Sequence, residues 1–248
     1  MTKRKHIVSV TGESALVREF VENCAQKQYE IVGTINEKTT RLFPPGMKKV
    51  STFSRTSAYA FELTNSAIDV KKKNLIKLDR TLTPSAPILS SAVTVSATEQ
   101  ASWMRHPERL IGISAFPTLL SKQLIELAPT INTSTSSIQH AVDFFKNVKK
   151  DSVIVQDRIG MVMPRILCML INEAAFALGD QLASPQDIDT AMRLGTNYPF
   201  GPVEWADKIG VNQIISVLDA LYNDLHEERY RVAPLLKRLA IGKKWWSV

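Results

Sequence analysis

The chain has 248 residues, of which 44% are hydrophobic and 22% charged, and its formal net charge is +7 at pH 7. These are ordinary values for a globular protein with a sizeable core. The two cysteines, Cys24 and Cys168, lie in apolar helical patterns, which argues against a disulfide framework or a metal site and favours a cytoplasmic location. The longest apolar segment, residues 159–178, is interrupted by Gly160 and by charged residues, so we expect no membrane span. The short lysine clusters suit an anionic ligand but lack the aromatic interleaving of a nucleic-acid binder.

Strands and helices alternate over the first two-thirds of the chain. This alternation predicts a doubly wound, mainly parallel α/β sheet of the Rossmann type. The predicted strands are HIVSV (6–10), YEIVGTI (29–35), VSTF (50–53), AYAFELT (58–64), PILSSAVTV (87–95), RLIGISAF (109–116), QLIELAP (123–129) and SVIVQ (152–156). Ser14 is predicted to cap the first helix. Further helices are predicted over AIDVKKKNLIKLDRTL (67–82), around 97–104 and near 136–147.

After Gln156 the pattern is helical only. We therefore expect two domains, a Rossmann-like domain over residues 1–156 and an all-α C-terminal domain over residues 157–248. Helix 162–179 is apolar on nearly all sides, which predicts a place at the centre of the second domain.

Helix start and stop signals are strong in the second domain. Residues 201–210 begin with Gly-Pro and end with a glycine, which is typical of a short helix. A longer helix is predicted with Ser184 as N-cap, Pro185 at the first helical position, Asp187 at the third and Gly195 at the end.

The stretch VTGESALVREF occupies the place of a phosphate-binding turn between the first strand and the first helix. Such a turn uses small residues for the tight turn, for close approach of the pyrophosphate and for packing of helix on strand. Gly12 supplies the turn, but the second and third positions hold Ser14 and Val17. Glu13 adds negative charge, and Glu37 follows the second strand, where an acidic residue can bind a ribose. The residues alone leave two interpretations open, ordinary dinucleotide binding and a Rossmann-like scaffold with an altered turn.

Residues 157–210 carry the most specific pattern in the chain. Their sequence is DRIGMVMPRILCMLINEAAFALGDQLASPQDIDTAMRLGTNYPFGPVEWADKIG. It resembles the start of the helical domain of 3-hydroxyacyl-CoA dehydrogenases, and the resemblance continues upstream through SSAVTVSATEQASWMRHPERLIGISAF and, more weakly, at AFELTNSAIDVKKKNLIKLD. The resemblance implies an N-terminal Rossmann domain and a C-terminal helical domain that forms a homodimer.

The resemblance also implies a chemistry, the oxidation of the 3-hydroxyl of an acyl-CoA by NAD with a histidine as general base and a glutamate that orients it. Ser114 stands where that histidine opens the family's His-Phe-Phe-Asn-Pro motif, and Glu126 occupies the place of the glutamate. Thr94, beside Val93 at the family's serine position, is the third candidate catalytic residue. A hydroxyl cannot replace an imidazole as a base near neutral pH without an activating neighbour.

By the same resemblance, the residues that would hold NAD are Gly12, Ser14, Glu37 and Lys71, the last of which matches the family's lysine after the fourth strand. Three further family features are changed. Ser66 replaces a glutamate five residues before that lysine, and Pro164 replaces a substrate-contacting asparagine. The family's helical arm that helps to hold CoA is absent between the second strand and residue 50.

Three hypotheses follow. The first is a catalytically degenerate family member that keeps the fold and the homodimer and has a binding or scaffolding role, with an acyl-CoA or another small anion as ligand. The second is an active NAD-dependent oxidoreductase that uses Glu126 with Ser114 or Thr94 on a 3-hydroxyacyl-CoA or a smaller hydroxy substrate. The third is a basic protein-interaction module that uses only its dimer surface. NAD is a possible cofactor, but the altered turn argues against it.

Overall fold

The computed structural model describes residues 6–24, 29–37 and 43–242. Their contacts divide the chain into two compact units, Met1–Met161 and Val162–Val248. The division falls a few residues beyond Asp157, where the sequence pattern changes. Within the described residues, no helix has both the length and the apolar character that a bilayer crossing requires.

The first unit is built on one eight-stranded sheet in the order β3-β2-β1-β4-β5-β6-β7-β8. Strands β1 to β6 run parallel, β7 is antiparallel to β6, and β8 is parallel to β7. The strands are β1 His6–Gly12, β2 Tyr29–Ile35, β3 Met47–Lys49, β4 Tyr59–Leu63, β5 Ile88–Ser91, β6 Leu110–Ile113, β7 Leu124–Pro129 and β8 Asp151–Ile154. The helices of this unit are α1 Ser14–Cys24, α2 Ile68–Thr81, α3 Ala97–Ser102 and α4 Thr135–Asn147. The predicted Rossmann-like α/β sheet is confirmed.

An aromatic cluster forms the core on one face of this sheet. The ring of Phe144 in α4 lies 4.8 Å from that of Phe61 in β4 and 6.2 Å from that of Phe20 in α1, centroid to centroid. Tyr29 and Tyr59, the first residues of β2 and β4, contact the same ring at 5.2 and 4.9 Å. Large aromatic rings bury much apolar area with few rotatable bonds, so this cluster fixes both helices against the central strands.

Two local predictions in the first unit are wrong. The third strand is Met47–Lys49 and not residues 50–53, because Met47 is the residue that pairs with Ile31 of β2. Ser14 does not cap α1 from outside the helix. It is the first helical residue, and its hydroxyl donates a hydrogen bond instead of accepting one from the backbone.

The second unit is entirely helical, as predicted. Helix α5 contacts three other helices, and its buried residues include Leu167, Cys168 and Ile171. Burial raises the pKa of the Cys168 thiol, so that group stays neutral. The helices are α5 Met163–Gly179, α6 Pro185–Thr196, α7 Pro202–Ile209, α8 Val211–Leu225 and α9 Pro234–Gly242.

The predicted start of α6 is confirmed and its predicted end is wrong. The Ser184 hydroxyl accepts the Asp187 backbone N–H at 3.2 Å and donates to the Asp187 carboxylate at 2.6 Å. Gly195 lies inside the helix, which continues to Thr196 and ends at Asn197 with a left-handed φ of 57°. Asparagine tolerates this conformation better than most residues and serves as the helix stop in place of glycine.

Candidate functional site

The loops that follow the parallel strands meet at one edge of the sheet. In open α/β sheets ligands bind beyond the carboxyl ends of the strands, so this is the edge at which a site is expected. It carries Gly12 at the end of β1, Asn65 after β4, Thr94 after β5 and Ser114 after β6. Most of the predicted site residues therefore lie at the same edge.

Gly12 is required by the close approach of β4. Its φ is +151°, and a Cβ at this position would lie 2.4 Å from the carbonyl oxygen of Leu63. The Glu13 N–H donates to that same oxygen at 3.0 Å. Packing against β4 therefore requires the one glycine that the turn retains, whether or not a nucleotide binds.

The N-terminus of α1 is occupied by the carboxylate of Glu37. The Ser14 backbone N–H donates to its two oxygens at 3.0 and 3.1 Å, and the Ser14 hydroxyl donates at 3.0 Å. A carboxylate is stabilised here by the positive end of the helix dipole. The structure therefore brings two predicted cofactor residues, Ser14 and Glu37, into direct contact with each other.

A second carboxylate, that of Glu13, occupies the loop after β4. Its Oε1 accepts the backbone N–H groups of Asn65 at 3.0 Å and Ser66 at 2.7 Å, and the Ser66 hydroxyl at 2.6 Å. Successive N–H groups that point at one oxygen form the kind of concavity that binds anions. In this chain the anion in that concavity is a side chain of the β1–α1 turn.

These contacts bear on whether the turn fits the diphosphate of NAD. A diphosphate needs free N–H groups at a helix N-terminus and close approach to a small-residue backbone. The N–H groups of Ser14, Asn65 and Ser66 are engaged by carboxylates, and Val17 at the third glycine position is buried in the core. As folded, the turn therefore places two carboxylates at these donors.

Lys71 lies away from the turn and is 1% exposed. Its Nζ donates to Glu62 Oε2 at 2.5 Å, to Ser90 Oγ at 3.1 Å and to the Ser91 carbonyl at 2.9 Å. An ammonium group has three donors, and all three are used within the sheet. Its cofactor role stays a prediction, while its observed contacts are those of a buried ion pair.

Ser114 and Glu126 are neighbours because β6 and β7 form an antiparallel pair. The Ser114 N–H donates to the Glu126 carbonyl at 3.2 Å, and the Glu126 N–H donates to the Ser114 hydroxyl oxygen at 3.1 Å. Both side chains are buried, Glu126 to 5% exposure. The hydroxyl is thus held by the Glu126 backbone.

Thr94 belongs to a network centred on Asn65, the first asparagine after β4. The Thr94 hydroxyl donates to the Asn65 carbonyl at 2.8 Å, and Ser91 donates to the Asn65 side-chain oxygen at 2.6 Å. The Asn65 amide donates to the Ala115 carbonyl at 3.0 Å. Thr94 is connected to the residue after Ser114 through this amide, and within the described part of the chain Thr94 and Ser114 are not hydrogen-bonded to each other.

Two residues that organise this edge were missed from the sequence. Glu62 is a charged residue inside the apolar strand AYAFELT, and such a residue in a buried strand signals a buried partner. Asn65 directly follows that strand, where polar residues often serve sites in parallel sheets. Both signals are present in the sequence, but neither identifies the residue with which Glu62 or Asn65 interacts.

In the second unit the family-like motif has structural roles. The Asp189 carboxylate accepts the N–H groups of Val203 and Glu204 at 2.8 and 2.9 Å and so caps α7. A Cβ on Gly201 would lie 2.2 Å from this carboxylate, which explains the glycine before the proline. Asn172 accepts the Ala233 N–H at 2.8 Å and ties α5 to the segment before α9.

Comparisons with known proteins agree over the whole chain. Residues 10–158 match the family model for the 3-hydroxyacyl-CoA dehydrogenase NAD-binding domain, and residues 160–244 match that for the C-terminal domain. A 3-hydroxybutyryl-CoA dehydrogenase of Bradyrhizobium diazoefficiens is 33% identical over 168 residues, which cover 68% of this chain and 57% of that protein. The mitochondrial hydroxyacyl-coenzyme A dehydrogenase of Rattus norvegicus is 29% identical and covers 98% of this chain and 76% of its own length.

A solved structure shows the same fold. The (S)-3-hydroxybutyryl-CoA dehydrogenase of Ralstonia eutropha superposes with a TM-score of 0.81 at 24% identity, over 98% of this chain and 96% of that one. Together with the two family models, which adjoin near residue 159, this assigns both units. The chain belongs to the 3-hydroxyacyl-CoA dehydrogenase family.

Proposed function

We propose that this chain is a dehydrogenase-like protein that has kept the family's fold and lost ordinary hydroxyacyl-CoA oxidation. The observation that carries the proposal is the pair Ser114 and Glu126. The hydroxyl of Ser114 accepts a backbone N–H, and no histidine among the described residues of the first unit is hydrogen-bonded to it. A neutral hydroxyl is too weak a base to remove a proton from a substrate alcohol near pH 7.

The histidines of the first unit do not supply a substitute base. His6 and His140 border a cleft at the opposite, amino edge of the sheet. His106 lies 3.4 Å from Glu108, in the connection before β6. The carboxylates of Glu13 and Glu37 at the β1–α1 turn add support, because both oppose a diphosphate at the place where NAD would be held.

The proposed role is then binding or scaffolding. The ligand would be an acyl-CoA or a small anion, and the chain would form a homodimer through the helical unit. Exposed apolar side chains support the homodimer. Ile166, Leu182 and Leu194 of the helical unit are 56%, 78% and 81% exposed, and a subunit interface would cover such apolar side chains. The net charge of +7 supports an anionic ligand.

An active NAD-dependent oxidoreductase is the second candidate, and one observation favours it. The Ser114 oxygen accepts a hydrogen bond from Glu126, while its own O–H has no acceptor among the described residues. A free O–H beside a buried carboxylate can donate to a substrate carbonyl and polarise it. Glu126 or Thr94 would then assist on a smaller hydroxy substrate.

Two measurements decide between these candidates. Purified protein is titrated with NADH by calorimetry, and reduction of acetoacetyl-CoA by NADH is followed with a 3-hydroxybutyryl-CoA dehydrogenase as positive control. We expect no turnover above background. Turnover that Glu126→Ala abolishes and Glu173→Ala, an exposed glutamate of α5, leaves intact would overturn the proposal and establish the oxidoreductase. Binding of NADH without turnover would mean that cofactor binding is retained and that only the catalytic function of Ser114 and Glu126 is lost.

A further inference from the structure

A second concave surface lies at the amino edge of the sheet, opposite the edge that carries Gly12 and Ser114. Because β1 to β5 run parallel, their first residues meet at this edge. They border a cleft of about 410 Å³, a volume within the range of small-molecule sites. Its walls come from the starts of β1, β2 and β4, the loop before β5 and helix α4. No residue of the family's catalytic or cofactor motifs borders it.

The floor of the cleft is aromatic and rigid. The rings of Tyr29 and Tyr59 meet edge to face with centroids 6.2 Å apart. Both pack on Phe144 of the core, at 5.2 and 4.9 Å, so neither ring can rearrange without disturbing the sheet. Tyr59 is half-buried and borders the cleft. A fixed ring of this kind is a surface on which a planar group can stack.

The rim of the cleft presents polar groups that the protein does not use. The side chains of His6, Thr83, Ser85 and His140 make no hydrogen bond to another residue within 6–24, 29–37 and 43–242. They come from β1, the loop before β5 and α4, which are distant in sequence and converge here. Imidazole and hydroxyl groups can each donate and accept, so they match ligand hydroxyls and ring nitrogens.

Charge restricts the ligand. Among the described residues that border the cleft there is no Asp, Glu, Lys or Arg, so none of these residues supplies the cation that usually binds a phosphate or carboxylate. Burial, then Tyr29 and then Asp143 raise the pKa of the Tyr59 hydroxyl, so this wall holds a neutral hydroxyl with the negative charge of Asp143 nearby. An anion would be repelled there, whereas a neutral ligand would not.

We propose that this cleft binds a neutral nucleoside. The planar base would stack on Tyr59, and the sugar hydroxyls and ring nitrogens would meet the imidazoles of His6 and His140 and the hydroxyls of Thr83 and Ser85. This inference does not depend on whether the opposite edge of the sheet binds NAD or catalyses a reaction.

The test uses adenosine with the full-length chain. The sequence has only four histidines, so their imidazole proton signals can be resolved by NMR and assigned with single His→Gln variants. We expect adenosine to shift the signals of His6 and His140 and to leave those of His106 and His226 in place. Shifts of neither His6 nor His140 at millimolar adenosine would overturn the proposal.

Two tryptophan variants provide the matched control. Ser85→Trp places a large ring at the rim of the cleft, and Ser51→Trp places the same ring at an exposed serine outside it. Adenosine affinity, measured by saturation-transfer NMR, should fall at least about tenfold in the first variant and stay unchanged in the second. Equal affinity in the two variants, or stronger binding of methyl glucoside than of adenosine, would refute the nucleoside assignment.

Discussion

The buried pair Lys71 and Glu62 allows a direct test of what Lys71 does. In Lys71→Met the side chain keeps most of its length and loses its charge. Glu62 is fully buried and would then lack the cation that lies 2.5 Å from its Oε2. Four further donors to this carboxylate, the N–H and hydroxyl of Thr64, the Asn74 amide and the Ser90 hydroxyl, are neutral and cannot compensate its charge.

The expected loss is large because a charge remains in the core. Breaking one partner of a buried ion pair costs about 3–5 kcal/mol of unfolding free energy. The double variant Lys71→Met/Glu62→Leu removes both charges and should recover most of that loss. Lys73→Met, two residues along the same helix and exposed, should stay within about 0.5 kcal/mol of the wild type.

Urea unfolding followed by circular dichroism measures these differences, and calorimetry with NADH supplies the second readout. If Lys71 stabilises the fold through the ion pair, Lys71→Met has a much lower free energy of unfolding than the wild type. The double variant then recovers most of that free energy. A loss below about 1 kcal/mol for Lys71→Met, which is within the range of ordinary substitutions, would refute the reasoning. Together with a loss of NADH affinity, it would place Lys71 in a cofactor site.

Three other substitutions test the contacts described above. Asp189→Ala should lower the melting temperature, because it removes the cap of α7 and with it about 1–2 kcal/mol of unfolding free energy. Asp180→Ala is the control and should leave the melting temperature unchanged. Equal melting temperatures for the two variants would exclude a capping role. Burial raises the pKa of Glu19 above 4.5, so its contribution to stability falls as the pH rises from 4.5 through the folded-state value. Glu19→Gln should therefore gain stability relative to the wild type across that window in urea titrations, and a difference that does not change with pH would contradict this. Gly12→Ala should yield little soluble protein in expression trials, because its Cβ meets the Leu63 carbonyl; a normal yield would show that β4 can move aside.

Local features of the fold could be predicted from the sequence. The start of α6 was predicted at Ser184 because a capping box depends only on residues three apart. The place of the third strand was wrong because VSTF has as good a strand pattern as the observed Met47–Lys49. The choice between them depends on pairing with β2, which is not local.

The site was less predictable for the same reason. The resemblance aligns Ser114 and Glu126 with two motif positions, and the structure joins these positions through the β6–β7 pair. The contact between Glu37 and Ser14 spans 23 positions and joins an acidic residue to a helix start that sequence patterns treat separately. The pairing of Glu62 with Lys71 was missed because a buried charge in a strand announces a partner without identifying it.

The antiparallel pairing of β6 with β7 also has an evolutionary meaning. Ile113 lies opposite Leu127, and this backbone register keeps positions 114 and 126 adjacent whichever side chains they carry. Under the proposed function, a substitution at position 114 therefore changes one side chain and leaves this backbone frame intact. A histidine placed there would lie beside Glu126, so a lineage could exchange the side chain at this position without rebuilding the sheet.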